Sequence, residues 1–169
     1  MNIMHGKRQQ IPASRVLQNP ICFLAFGFGS GLAPKAPGTF GTLAAVPFYL
    51  LFAKLPLPAY LALALLLFLI GVWVCGRCEQ ILGVDDHSGI VWDEFVGLFI
   101  TLAGTPASPY VVMAGFCLFR LFDIFKPWPI SWLDRHVHGG LGIMLDDVLA
   151  GAYAWLALFA LLNFGLFKP

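Results

Sequence analysis

The chain has 169 residues, enough for one domain, of which 59% are hydrophobic and 11% charged, and its mean hydropathy is +0.82. A soluble domain averages about 45–50% apolar and about 25% charged residues, so the composition excludes an ordinary water-soluble protein and predicts helices in a bilayer. A net charge of +1 leaves no basic surface for nucleic acid, and Cys22, Cys75, Cys78 and Cys117 lack the spacing of a disulfide framework.

Residues 1–18 form a polar tail with Lys7, Arg8 and Arg15, and no small-residue cleavage site follows the next apolar run. Ile21–Ala33 is apolar but short and glycine-rich, which suits a re-entrant or interfacial segment better than a span. Five longer apolar runs follow: Thr39–Ala53, Leu57–Cys75, Ile90–Ala103, Tyr110–Phe125 and Val148–Phe167. Leu57–Cys75 is uncharged and nearly reaches the ~20 residues that a bilayer core requires. The Cys75-Gly76-Arg77-Cys78 pair has no second ligand pair and no thioredoxin-like context, so it is read as two small residues at a helix end. The expected fold is therefore all-α, a single polytopic membrane bundle over residues 1–169 with about five spans.

Lysine and arginine set the orientation. With the N-terminus in the cytoplasm, Lys7, Arg8, Arg15, Lys35, Arg77, Arg120, Lys126 and Arg135 fall on or near the cytoplasmic side, against Lys54 and Lys168 opposite. The same topology brings Asp93, Glu94, Asp123, Asp146 and Asp147 to one level near that face, with Glu79, Asp85, Asp86 and Asp134 in its loops.

A carboxylate within a membrane segment costs roughly 2.5–3.5 kcal/mol unless paired, hydrated or bound to metal. The adjacent pairs Asp93-Glu94 and Asp146-Asp147 repel unless they share a cation, and hard divalent ions take oxygen ligands of this kind. Helix N-capping accounts for Asp93 or Asp146 alone, but not for Asp123 near the C-terminal end of a run. Arg120, Asp123 and Lys126 share one helical face by their spacing, as a phosphate clamp or as a plain ion-pair ladder. The bend Gly27-Phe28-Gly29-Ser30-Gly31 and the following Lys35-Ala36-Pro37-Gly38-Thr39 offer Ser30, Gly31, Lys35 and Thr39 to a phosphate at a helix N-terminus. Gly27 and Gly31 equally suit close helix packing. Arg135, His136 and His138 in RHVHGG are further candidate phosphate contacts. Familiar nucleophile signatures are absent: no cysteine precedes an arginine by six positions, and there is no D-x-D-x-T or histidine-phosphatase motif.

Three segments, GFGSGLAPKAPGTFGTLAAVP (Gly27–Pro47), HSGIVWDEFVG (His87–Gly97) and FRLFDIFKPWPISWLDRHVHGGLGIMLDDVLAG (Phe119–Gly151), together resemble the bacterial phosphatidylglycerophosphatase A family. The resemblance implies a magnesium-dependent hydrolase of the bacterial inner membrane. It would remove the terminal phosphate of phosphatidylglycerophosphate to leave phosphatidylglycerol, and the lysine and arginine bias puts the site on the cytoplasmic side. Joined to the residue pattern, it predicts a Mg2+ site of Asp93, Glu94, Asp123 and Asp146, with Asp147 as a fifth ligand or as the base that orients water. Arg120, Lys126 and Lys35 would stabilise charge on the phosphate oxygens. One metal or two, and water or a covalent aspartyl-phosphate, both stay open at this level. The competing class is a small transporter or proton-coupled carrier using the same carboxylates, for which broken helices at mid-membrane or internal repeats would speak.

Overall fold

The structure is a computed structural model that describes residues 11–85 and 87–164; Lys7, Arg8, Asp86 and Lys168 lie outside them. All described secondary structure is helical. Two short helices, α1 (Ala13–Leu17) and α2 (Pro20–Ala25), lead into a glycine turn with a single 3-10 turn at Ser30–Leu32. The longer helices are α3 (Pro37–Phe52), α4 (Leu57–Leu82), α5 (Trp92–Thr101), α6 (Pro109–Phe125) and α8 (Gly139–Asn163), with the short α7 (Ile130–His136) before α8.

Local chemistry explains several boundaries. The Asn19 side chain accepts from the N–H groups of Ile21 and Cys22, and Pro20 occupies the first helical position of α2. Ser108 accepts from the Val111 N–H and Pro109 opens α6 in the same way. Gly83, with φ of 67°, closes α4 in the left-handed conformation that favours glycine. The Ile21–Ala33 stretch does not cross anything, because its helix is six residues long.

Of the expected runs, α3 and α6 lie close to their sequence limits, while α4 continues past Cys75 to Leu82. The last helix begins at Gly139 instead of Val148, and its expected end at Phe167 lies outside the described residues. Only α4 and α8, among the described residues, are long and apolar enough to cross a bilayer. The ten residues of α5 extend about 15 Å at 1.5 Å per residue, half of a ~30 Å hydrocarbon core. Of the five expected spans, two are thus helices of full spanning length, and the others are shorter helices packed among them.

Helix α8 is the centre of the bundle and packs against α4, α5, α6 and α7, while α3 packs on α5 and α2 on α4. Glycines set the closest approaches. A Cβ on Gly151 would lie 2.6 Å from the Gly97 carbonyl oxygen, so α5 and α8 meet backbone to backbone there. The buried Thr101 hydroxyl reaches both helices, donating 2.9 Å to the Gly97 carbonyl and lying 3.4 Å from that of Gly151. Gly76 and Gly140 bring α4 and α8 together in the same manner.

The far end of α5 is closed by side chains. The buried Tyr60 hydroxyl donates to the Phe99 carbonyl at 2.8 Å, Trp155 Nε1 to the Ala103 carbonyl at 3.0 Å, and the Thr105 hydroxyl to the Leu102 carbonyl at 2.9 Å. The Phe99 carbonyl lies in the last turn of α5, where intrahelical donors run out, while Leu102 and Ala103 follow that turn and the Leu102 carbonyl also accepts from the Thr105 N–H at 3.2 Å. Tyr60→Phe removes one of the side-chain donors and leaves the ring stack on Phe99 (centroids 5.7 Å) in place. The expected cost is about 1–3 kcal/mol, seen as a fall of about 2–4 °C in melting midpoint per kcal/mol in detergent. An unshifted midpoint would mean that the carbonyl needs no donor.

Candidate metal centre and its cationic neighbours

The start of α3, the end of α4, the starts of α5 and α8, and the end of α6 come together at one end of the bundle, as the alternation of the runs requires. Asp93 and Glu94 stand in the first turn of α5. Asp146 and Asp147 lie inside α8, about two turns past its start at Gly139. That depth removes the N-cap explanation for them. Glu94 is 8% exposed and Asp147 is 2% exposed, far drier than carboxylates usually are.

Asp93, Glu94 and Asp147 each present a carboxylate oxygen within 4.8 Å of the others. The α5–α8 crossing produces this. Asp93 is one turn before Gly97 and Asp147 one turn before Gly151, so the two helices hold their acids together just beyond the contact. Buried oxygens Asp93 Oδ1, Glu94 Oε2 and Asp147 Oδ2 have no hydrogen-bond partner. Buried polar atoms are normally satisfied, and three like charges at this distance repel. Hard oxygen donors, dry walls and unsatisfied lone pairs together fit a divalent cation such as magnesium.

The other two predicted ligands are each paired with a cation, and the Asp123 carboxylate also meets that of Asp147. Asp123 Oδ2 lies 2.6 Å from Arg120 Nη1, and the same nitrogen stands 3.6 Å from Glu94 Oε1. Asp146 uses both oxygens: Oδ2 accepts from Lys126 Nζ at 2.6 Å and Oδ1 from the Asp147 N–H at 3.1 Å. The structure therefore draws Asp147 to the carboxylate trio, and sets Asp123 and Asp146 as partners of the two cations beside it.

Arg120 and Asp123 share a face of α6 as their spacing requires, but Lys126 does not continue that face. It leaves the helix as its C-cap with φ of 40°, and its ammonium turns to Asp146 and to Asp134 of α7. Burial alone would lower the Lys126 pKa; the Asp146 and Asp134 carboxylates outweigh it and hold the ammonium above its ordinary range. Arg120 Nε and Nη1 are buried and lack a properly directed acceptor.

The glycine bend is partly at the site and partly not. Gly38, at the start of α3, is packed so closely that a Cβ would overlap Glu94 Oε1 and lie 3.0 Å from both Arg120 terminal nitrogens. Thr39 is half-buried on the next position and Lys35 is exposed. Ser30 turns its hydroxyl back onto the Gly27 carbonyl at 2.8 Å, and Gly31 packs against the Gly89 backbone, so both build the turn and leave no free group. Arg135, His136 and His138 are exposed. His136 stacks on Trp132 with centroids 4.6 Å apart and its Nδ1 meets the Trp132 carbonyl at 2.7 Å. His138 lines a cavity of about 260 Å³ with Glu79, Asp134 and Asp146. Sequence reasoning left Asp134 as a loop acid and missed Gly38, Gly97 and Gly151. A glycine four residues after Asp93 and another four after Asp147 was the available signal.

The repulsion within the trio has a measurable consequence. With chelator present, Asp147→Asn should melt above the wild type, because one buried like charge is gone. Adding Mg2+ should raise the wild type, by binding linkage, and leave the variant nearly unmoved. A wild type that melts at one temperature with and without Mg2+ would count against a shared cation.

Known proteins were compared with the chain. The family profile described as Phosphatidylglycerophosphatase A matches residues 23–162. A protein named phosphatidylglycerophosphatase A from Escherichia coli (strain K12) is 49% identical over 147 residues, 86% of each chain. One of the same name from Haemophilus influenzae is 48% identical over 147 residues, 86% of this chain and 90% of that one. A Bacteroides thetaiotaomicron protein with the provisional name phosphatidylinositol-3-phosphatase is 41% identical over 138 residues, 77% of this chain and 86% of its own. No solved structure matches.

Proposed function

Since the chain belongs to the phosphatidylglycerophosphatase A family, we propose that it hydrolyses the terminal phosphate of phosphatidylglycerophosphate at the carboxylate trio, with Mg2+ bound there. The observation that carries the site is the convergence of Asp93, Glu94 and Asp147 with unpartnered, buried oxygens. Mg2+ held by these three would supply positive charge against the phosphate oxygens.

The chain's own cations complete the neutralisation. Arg120 stands between Glu94 and Asp123, both of which its Nη1 meets, and its Nε, without a partner, is the donor left for a phosphate oxygen. A planar fork of donors suits a phosphate better than an ammonium does. Asp146 joins the Lys126 ammonium to the Asp147 backbone, which places that charge one residue from the trio. Asp147 belongs among the ligands on this reading, and Asp146 is a positioning group. Gly38 leaves room for Glu94 and Arg120 to meet at the start of α3.

We place the protein in the bacterial inner membrane, with α4 and α8 crossing it and the carboxylates on the cytoplasmic side. Leu65, Leu66, Leu69 and Trp73 of α4 are each more than half exposed, a continuous apolar face that water disfavours and lipid accepts. Trp128 and Trp132, 78% and 51% exposed at the carboxylate end, suit the interfacial zone. Nothing favours the carrier alternative, since the acids gather at one end of the bundle.

Phosphate release from phosphatidylglycerophosphate in detergent should require Mg2+. Asp93→Asn, Glu94→Gln and Asp147→Asn should each lower the rate about a hundredfold or more with helical content retained. Arg120→Ala should also slow turnover yet keep the Mg2+-induced rise in melting temperature, because it ligates nothing. Full activity in chelator would sink the metal assignment. Faster release from phosphatidylinositol 3-phosphate would move the head group and leave the phosphatase.

A further inference from the structure

The ammonium of Lys126 has two carboxylate partners of very different character. Asp146 belongs to α8, its side chain is 11% exposed, and its second oxygen is committed to the Asp147 N–H at 3.1 Å. Asp134 sits on the seven-residue α7, its side chain is 38% exposed, and Lys126 is the partner recorded for it among ion pairs of the described residues. The inner carboxylate is locked by a helix and a backbone bond, and the outer one is held by the ammonium and open to solvent. Lys126 is itself fixed at its root by its position as C-cap, its N–H donating to the Phe122 carbonyl at 2.9 Å. The ammonium can therefore change partners on its outer side without losing its place on the inner one.

We infer that Asp134 is an affinity-determining residue that occupies the outer face of Lys126 until a phosphate monoester replaces it. This rests on the reading of Lys126 as a phosphate-binding cation. A phosphate oxygen is an anionic acceptor like the carboxylate oxygen it displaces, so the exchange keeps the ammonium paired throughout. Asp146 stays in place during it, and Asp147 with it. The freed Asp134 returns to water, where an exposed carboxylate is well solvated. The same carboxylate re-enters when inorganic phosphate leaves, and so weakens retention of the product. The cost falls on binding and not on the chemical step: a competitor for one contact lowers apparent affinity by the fraction of time that it occupies that contact.

The test uses the full chain in detergent with Mg2+, with inorganic phosphate as the probe. Asp134→Asn should tighten phosphate binding, measured by calorimetry, and lower both KM and the inhibition constant of phosphate by about two- to fivefold, the scale of a half-exposed ion pair. Its kcat should stay within about twofold on the same basis. Asp134→Ser should behave like Asp134→Asn, and Asp134→Glu like the wild type. Combined with Lys126→Gln, Asp134→Asn should have no further effect on phosphate affinity. A fall in kcat with phosphate affinity unchanged would overturn the inference and make Asp134 a fastening for α7. Unchanged constants throughout would overturn it as well. Calorimetry needs no lipid turnover. Tighter phosphate binding in Asp134→Asn, with no lipid hydrolysed by any form, would uphold the exchange and reject only the proposed substrate.

Discussion

The backbone contact between Gly97 and Gly151 is the constraint on which the site depends. Two helices can bring carboxylates within 4.8 Å only if their axes approach closely, and side chains at the crossing would hold them apart. A Cβ on Gly97 would strike the Phe119 ring and sit 3.1 Å from the Asp147 carbonyl, so α5, α6 and α8 all meet at this point. Phe119 is fully buried there, one residue before Arg120. The crossing thus fixes the trio and the arginine beside it in one act of packing.

Electrostatics run against the fold at this place. Each buried carboxylate carries a desolvation penalty, and their mutual repulsion adds to it. Arg120 and Lys126 offset part of the charge, but each is itself held by an acid, Asp123 and Asp146. The local balance stays negative, which is the condition under which a divalent cation gains most from binding. Stability given up where like charges are buried together is made good by packing elsewhere. Here the packing lies in the aromatic layer of Tyr49, Tyr60, Phe95 and Phe99 further along the bundle.

Much of this was legible in the residues. The all-helical class followed from apolar runs, and the gathering of acids at one end followed from alternation of helix direction. What the sequence hid has physical reasons. The last apolar run starts at Val148 in the sequence, yet Gly139, Gly140 and Gly142 open α8, because Gly140 and Gly142 lie against the backbone of Val72 and Val137 where larger residues would not fit. Lys126 read as the third member of a helical face, but the helix ends at Phe125 ahead of Pro127, as the conformational limit on a residue before proline favours. That one change of direction separates the lysine from Arg120 and gives it to α7 and α8. Hydropathy registered Ile90–Ala103 as a span because it measures apolarity, and it is blind to where the helical hydrogen bonds stop.

The short α5 has a consequence for the space around its end. A helix that ends inside a bundle leaves carbonyls in its last turn without intrahelical donors, and each needs another partner. Here the hydroxyls of Tyr60 and Thr105 and the indole of Trp155 donate in that turn and just past it. At this end of the bundle, remote from the acids, cavities of about 700 and 220 Å³ adjoin the same residues. Tyr60 and Thr105 border the smaller of these cavities and Thr105 and Trp155 the larger, so the side chains that complete the end of α5 also form the walls of the space beside it.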